Sequence, residues 1–221
     1  MNKQASAYIL AVLSLLSMSN INAQQRLTEK HFGLVGHLGL GWDGRSQWQF
    51  NSLGSGSLSP LKKGLSFGGG IEYGPLTSIR GANLMTSLEV GYSQESSSKD
   101  LAGGKAESKL RRIPVMAWAK LISEGEFSPF VRLGVGVART EFGETASLLP
   151  GQEFDFAKWH FSWGAGAGLN YQITQQTAFE LFLDSWMSEA DIMGTNASGV
   201  TYGLNGRFVM FIIGIRGIVA L

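Results

Sequence analysis

Eight stretches of this chain alternate apolar residues with small or polar ones, and the connections between them are in turn long and short. The stretches lie at 31–42, 64–73, 81–93, 110–121, 129–139, 158–172, 177–186 and 206–221. A period of two residues belongs to a β-strand whose two faces meet different surroundings. An even strand count, with connections running long, short, long, short, is the layout of an up-and-down barrel.

The faces can be assigned residue by residue. On the first strand Phe32, Leu34, Leu38, Leu40 and Trp42 oppose Gly33, Val35, His37, Gly39 and Gly41. On the fourth, Ile113, Val115, Ala117, Ala119 and Leu121 oppose Arg112, Pro114, Met116, Trp118 and Lys120. The sixth sets Trp159, Phe161 and Trp163 against His160, Ser162, Gly164, Gly166, Gly168 and Asn170. The last strand is apolar on both faces, and Arg216 fixes its phase together with Met210, Ile212 and Gly214.

A soluble eight-stranded barrel of the lipocalin kind has the same strand count. It would carry its apolar face inward and its charges outward. Here the second face is mostly Gly, Ala and Ser with isolated charges, too sparse for a solvated exterior. It suits the tight interior of an eight-stranded barrel, which side chains just fill. The apolar face then meets lipid. Hydrocarbon offers no partner to a sheet edge, so the sheet must close. The expected fold is an all-β, eight-stranded antiparallel transmembrane up-and-down β-barrel.

Composition agrees. Of 221 residues, 44% are hydrophobic and only 16% charged, where about a quarter is usual. The formal net charge of +1 gives no reason to expect nucleic acid as a partner. The absence of cysteine excludes disulfides, thiolate metal sites, a cysteine nucleophile and a lipid anchor on cysteine. Residues 1–23 read as a cleaved signal peptide, leaving 24–221 as the barrel domain. Lys3 supplies the positive segment, Tyr8 to Leu16 the apolar one, and Ile21-Asn22-Ala23 the cleavage site. Beyond it no run of about 18 apolar residues predicts a membrane helix.

Turn residues fill the short connections: Gly74-Pro75, Glu124-Gly125 and Thr174-Gln175. By analogy with known barrels these face the periplasm with both termini. The long connections, about 43–63, 94–109, 140–157 and 187–205, are expected as four polar outward loops. Ser55-Gly56-Ser57 and Ser96-Ser97-Ser98 read as flexible. Trp42, Tyr73, Tyr92, Trp159 and Tyr171 stand toward strand ends, where aromatic girdles belong. Pro114 lacks an N–H and predicts a bulge or a rim position.

The segment Phe127-Ser128-Pro129-Phe130 and the following Leu133-Gly134-Val135-Gly136-Val137, with Ile113-Pro114-Val115 and Lys120 before them, resemble the central hairpin of the small outer-membrane β-barrel superfamily. That superfamily includes the barrel domain of outer-membrane protein A and the X- and W-type proteins. The resemblance implies residence in the outer membrane of a Gram-negative bacterium, contact with its lipid, and insertion by the outer-membrane assembly machinery. Such barrels often end in Phe, whereas this chain ends Val219-Ala220-Leu221.

Two constellations could carry function. The inward charges are Glu72, Glu89, Glu180 and Asp184 against Arg112, Lys120, Arg132 and Arg216. Unpaired charge in a narrow lumen is costly, so four against four predicts a salt-bridged plug, with a gated or narrow pore as the alternative. Arg132 and Arg216 are the expected central cations, and Glu72, Glu89 and Glu180 their partners. The second constellation is His160-Phe161-Ser162. A His-x-Ser pair on one strand face resembles the motif of outer-membrane lipid A deacylases, in which His activates Ser. The family's following Asn is replaced by Trp163, and the pair lies on the inward phase. His160 and His37 are instead expected as interior hydrogen-bonding groups.

His31, His37 and His160 show no metal spacing. Gly68-Gly69-Gly70 lies in a strand with no helix after it, so it is no phosphate loop. No catalytic, cofactor-binding or metal residue is expected, and no cofactor. The expected protein is a monomeric, non-enzymatic barrel with a structural or surface-interaction role, meeting a host or cell-surface ligand through its loops. A porin-like narrow channel is the alternative, and a lipid A-modifying hydrolase the third reading.

Overall fold

The computed structural model describes residues 30–43, 47–50, 64–101, 104–146, 153–195 and 201–221. They form nine strand segments: β1 (His31–Asp43), β2 (Gln47–Phe50), β3 (Gly64–Ile79), β4 (Ala82–Leu101), β5 (Gly104–Ser123), β6 (Phe127–Ala146), β7 (Glu153–Gln172), β8 (Thr177–Thr195) and β9 (Thr201–Ala220). All neighbours pair antiparallel. β1 hydrogen-bonds β3 on one side and β9 on the other, which closes the sheet. β2 continues β1 along the same edge of β9, with Gln47 opposite Arg207 and Phe50 opposite Leu204. The barrel wall therefore has eight strands, the first in two pieces.

The two faces fall as the alternation predicts. Phe32, Leu34, Leu38 and Leu40 point outward and are exposed, as are Val131, Leu133, Val135, Phe161 and Leu181. Ser66, Met85, Trp118, Met210 and Ile212 point inward and are buried. This reverses the arrangement of a water-soluble protein, and it is stable only where the outer face meets hydrocarbon.

Aromatic contacts mark two levels on that face. Phe32–Tyr73 and Phe127–Tyr171, with ring centroids 4.6 and 4.7 Å apart, lie near the short turns. Trp42–Phe211 at 5.8 Å and Phe67–Tyr92 at 5.1 Å lie further along the wall. From Phe32 to Trp42 the strand runs about 33 Å at about 3.3 Å per residue, or roughly 25 Å of height once tilted. That is the height of an apolar transmembrane band.

The strands do not stop at the upper level. β4 to β9 are 19 or 20 residues long, about twice the 9–11 needed to cross a bilayer. The segments 94–101, 104–109, 140–146, 153–157, 187–195 and 201–205, expected as loop, are paired strand. Ser96-Ser97-Ser98 pairs with Lys109, Ser108 and Glu107. The expected loops at 94–109, 140–157 and 187–205 are thus paired strand wherever their residues are described. Ser55-Gly56-Ser57 lies outside the described residues, as do residues 1–23.

At the other end the turns are tight. β3 joins β4 through Arg80-Gly81, both at positive φ (51° and 79°), the two-residue hairpin whose twist matches the strands. Gly74-Pro75, expected as this turn, instead lies within β3. Tyr73 opposes Thr86, yet Thr77 opposes Leu84, so Gly74 to Leu76 form a bulge. The reason is Pro75, which cannot donate to the ladder. Glu124-Gly125 and Thr174-Gln175 do sit in turns, and the Thr174 hydroxyl accepts the backbone N–H of Thr177 at 3.0 Å. Pro114 makes no bulge and sits well inside β5. Pairing skips its neighbourhood between Val90–Val115 and Ser93–Arg112 and resumes in the same register.

Candidate functional site: the barrel lumen

Seven strands send a charged or aromatic inward residue into the middle of the lumen: His37 from β1, Glu72 from β3, Glu89 from β4, Trp118 and Lys120 from β5, Phe130 and Arg132 from β6, Glu180, Phe182 and Asp184 from β8, and Arg216 from β9. All are buried. β7 contributes space instead. A Cβ at its Gly166 would overlap Asp184 Oδ1, and one at Gly164 would come within 2.7 Å of the Trp118 ring. These glycines leave the room into which neighbouring side chains lie.

Arg132 is the hub. Its Nε donates to Asp184 Oδ1 at 2.9 Å, its Nη2 to Asp184 Oδ2, and its Nη1 to Glu89 Oε1 at 2.9 Å. A two-pronged guanidinium–carboxylate contact of this kind fixes both groups in orientation. The guanidinium also lies 4.0 Å from the Trp118 ring centroid, where the electron-rich ring face attracts a cation. Arg216 Nη1 donates to Glu180 Oε2 at 2.7 Å, its Nη2 lies 3.5 Å from Glu89 and 3.9 Å from Asp184, and its guanidinium sits 4.7 Å from the Phe182 ring. Lys120 Nζ bridges Glu72 Oε2 and Glu180 Oε1, the latter at 2.7 Å. Lys120 and Arg132 are direct cross-strand neighbours. Two cations opposite each other repel, and the shared acids offset this.

The expected partners are redistributed. Glu72 binds Lys120, Glu89 and Glu180 bind arginines, and Asp184 is a partner of both arginines. Arg112 is not in this cluster. It lies eight residues before Lys120 on β5 and pairs at 2.8 Å with Glu95, buried on β4. Sequence reasoning missed Glu95 because 94–109 was read as loop, although the residue continues the inward phase of Glu89, Gly91 and Ser93. With Glu95 counted, the buried lumen acids among the described residues outnumber Lys and Arg by one. His37 Nδ1 lies 3.9 Å from Glu89.

His160 and Ser162 share the inward face without engaging each other in a described hydrogen bond. His160 Nε2 is 3.1 Å from Thr140 Oγ1, and Ser162 Oγ donates to the Met187 carbonyl at 3.2 Å. The serine proton is directed away from the imidazole, as a nucleophile–base pair would not have it.

A closed barrel with its apolar face outside and its charges locked inside has an evident class. A family model described as the outer membrane protein beta-barrel domain matches residues 8–208. The chain belongs to this family. It is an outer-membrane β-barrel, spanning the membrane with strands. Among curated proteins none matches the sequence significantly. Among solved structures, the outer membrane protein OprG from Pseudomonas aeruginosa is similar with a TM-score of 0.52 at 14% identity, over 86% of this chain and 96% of that one. The outer membrane protease OmpT from Escherichia coli is similar with a TM-score of 0.50 at 10% identity, over 87% and 95%. Neisserial surface protein A gives 0.46 at 16% identity, over 87% and 99%. The likenesses to OprG and OmpT show the fold alone.

Proposed function

We propose that this outer-membrane barrel has a structural and surface-interaction role, with a lumen sealed by its charge network and partners meeting it at the end where the strands run long. The observation that carries the seal is Arg132, held by Asp184 and Glu89 and stacked on Trp118. A cation held by two acids and covered by an aromatic ring is fixed in the middle of the lumen, which supports the sealed reading. The reading includes cleavage after Ala23, insertion by the assembly machinery, a monomer, periplasmic short turns, and a host or cell-surface ligand at the far end. The long strands support that last point, because a purely membrane-anchored barrel needs half their length. Nothing in the placement of His160 and Ser162 favours an enzyme.

Conductance of the full chain in a planar lipid bilayer tests the seal. The wild type is expected to show no single-channel steps, and Arg132→Ala to open the lumen or destabilise the barrel. Steps in the wild type would favour the narrow channel. A variant indistinguishable from wild type in both conductance and stability would remove Arg132 from the role. Shortening each hairpin at the long-strand end, scored for cell binding, tests the interaction role. Unchanged binding across the series would count against it.

A further inference from the structure

The barrel wall divides at its upper end. β7 and β8 pair from Gln172 and Ala178 as far as Ser162 and Ser188. Beyond that point β7 stays paired with β6 as far as Glu153, and β8 with β9 as far as Thr195. Among the described residues, the ladder between β7 and β8 does not continue over 153–161 and 189–195. A slot therefore opens between two strand edges, at the end where the strands outrun the bilayer. The shorter edge extends about 23 Å at about 3.3 Å per residue. A strand edge presents N–H and C=O groups sideways, which makes it a template for another strand.

The strands that flank the slot, β6 to β9, carry an excess of acid above the level of Ser162 and Ser188. Arg139 pairs with Glu141 at 3.0 Å, and Arg207 with Glu189 at 2.6 Å. What remains there is Glu144, Glu153, Asp155 and Asp191 against Lys158, a net charge of −3 with histidine neutral. The connecting residues 147–152 and 196–200 add no charge. The opposite holds on the β4–β5 hairpin. Beyond the Arg112–Glu95 pair it has Lys99, Lys105, Lys109 and Arg111 against Asp100 and Glu107. The acidic excess thus belongs to the side of the barrel that holds the slot. By the alternation of the strands, Glu153, Asp155 and Asp191 stand on the outward phase of the two edges, and Phe154, Phe156 and Ile192 on the inward phase.

We infer that this slot receives an extended, cationic peptide segment of a surface partner, which adds as a strand between β7 and β8. The inference rests on the surface-interaction role proposed above and names the chemistry of the partner. Backbone hydrogen bonds to the edges supply affinity, and alternate side chains supply specificity. The outward acids select Lys or Arg at every second residue, and the inward phase selects apolar residues between them. Because β7 and β8 run antiparallel to each other, the added strand is antiparallel to one edge and parallel to the other. A second copy of this chain would bring the same acidic excess to the slot, and like charges repel.

Fluorescence anisotropy with the full chain in phosphatidylcholine nanodiscs tests this, using three labelled decapeptides. One alternates Lys with Val, one Glu with Val, and one Lys with Pro, which cannot donate to a ladder. The Lys–Val peptide is expected to bind and the other two are not. Its binding should slow amide hydrogen exchange over 153–161 and 189–195. The triple variant Glu153→Gln, Asp155→Asn, Asp191→Asn should lose that binding while keeping its fold by circular dichroism. Equal binding of the three peptides would overturn the inference. So would binding that leaves exchange in the two edges unchanged, or full binding by the triple variant. Slowing of exchange with barrel concentration alone, without peptide, would also overturn it by showing a second copy in the slot. If hairpin shortening abolishes cell binding while the Lys–Val peptide fails to bind, this inference falls and the surface-interaction role stands. If the peptide binds and cell binding survives every shortening, that role falls instead.

Discussion

The middle of the lumen and its upper part are built from the same kinds of residue but wired differently. In the middle, Lys120 contacts two acids, Arg132 two and Arg216 three, and Glu89, Glu180 and Asp184 are each shared. Above, Arg112 has the single described ion pair with Glu95. The difference teaches that sharing, more than burial, sets the cost of a missing charge. Both regions are buried, but removing a shared acid strands two cations at once.

Asp184→Ala gives the largest expected effect. It leaves Arg132 and Arg216 short of an acid, and breaking a buried pair costs about 3–5 kcal/mol. Urea unfolding of the barrel in lipid vesicles measures it. A loss no greater than that of a change at Glu95 would break the comparison. Gly134→Ala comes next, at about 1–3 kcal/mol, because its Cβ would lie 2.5 Å from the Trp118 ring and push it out from under Arg132. Glu95→Gln should cost less, about 1–2 kcal/mol, since the amide oxygen still accepts a bond from Arg112. The smallest effect belongs to Gly36→Ala, within about 0.5 kcal/mol, because a Cβ there meets nothing within 4 Å. If Gly36→Ala costs as much as Gly134→Ala, the glycines serve the backbone and not the lumen side chains.

The membrane-crossing half of each strand was legible because its two faces meet opposite surroundings, and the alternation is correspondingly sharp. Phe32 to Trp42 and Val131 to Val137 needed no structure to be placed outside. Above the upper aromatic level the outer face no longer meets hydrocarbon, so the apolar contrast fades. Ser96-Ser97-Ser98 consequently looked like loop though it is paired strand, and Glu95 was lost with it. Gly74-Pro75 misled in the opposite sense, as turn chemistry spent on a bulge. The inward charges were identified in phase. Of the partners expected for the arginines, Glu89 and Glu180 do bind them, but Asp184 was not named as one. Glu72 was matched to an arginine and belongs to Lys120.

Alternation is a property of each strand taken alone, so the sequence by itself determined which way every membrane-spanning residue points and hence that this barrel is apolar outside and charged within. Which charges meet depends on how strand tilt and register close the wall. Arg132 reaches Asp184 across Gly166, over a separation of 52 residues. Only the pairing of β6, β7 and β8 in register could bring those two groups together, because no local pattern encodes which residues of separate strands stand level.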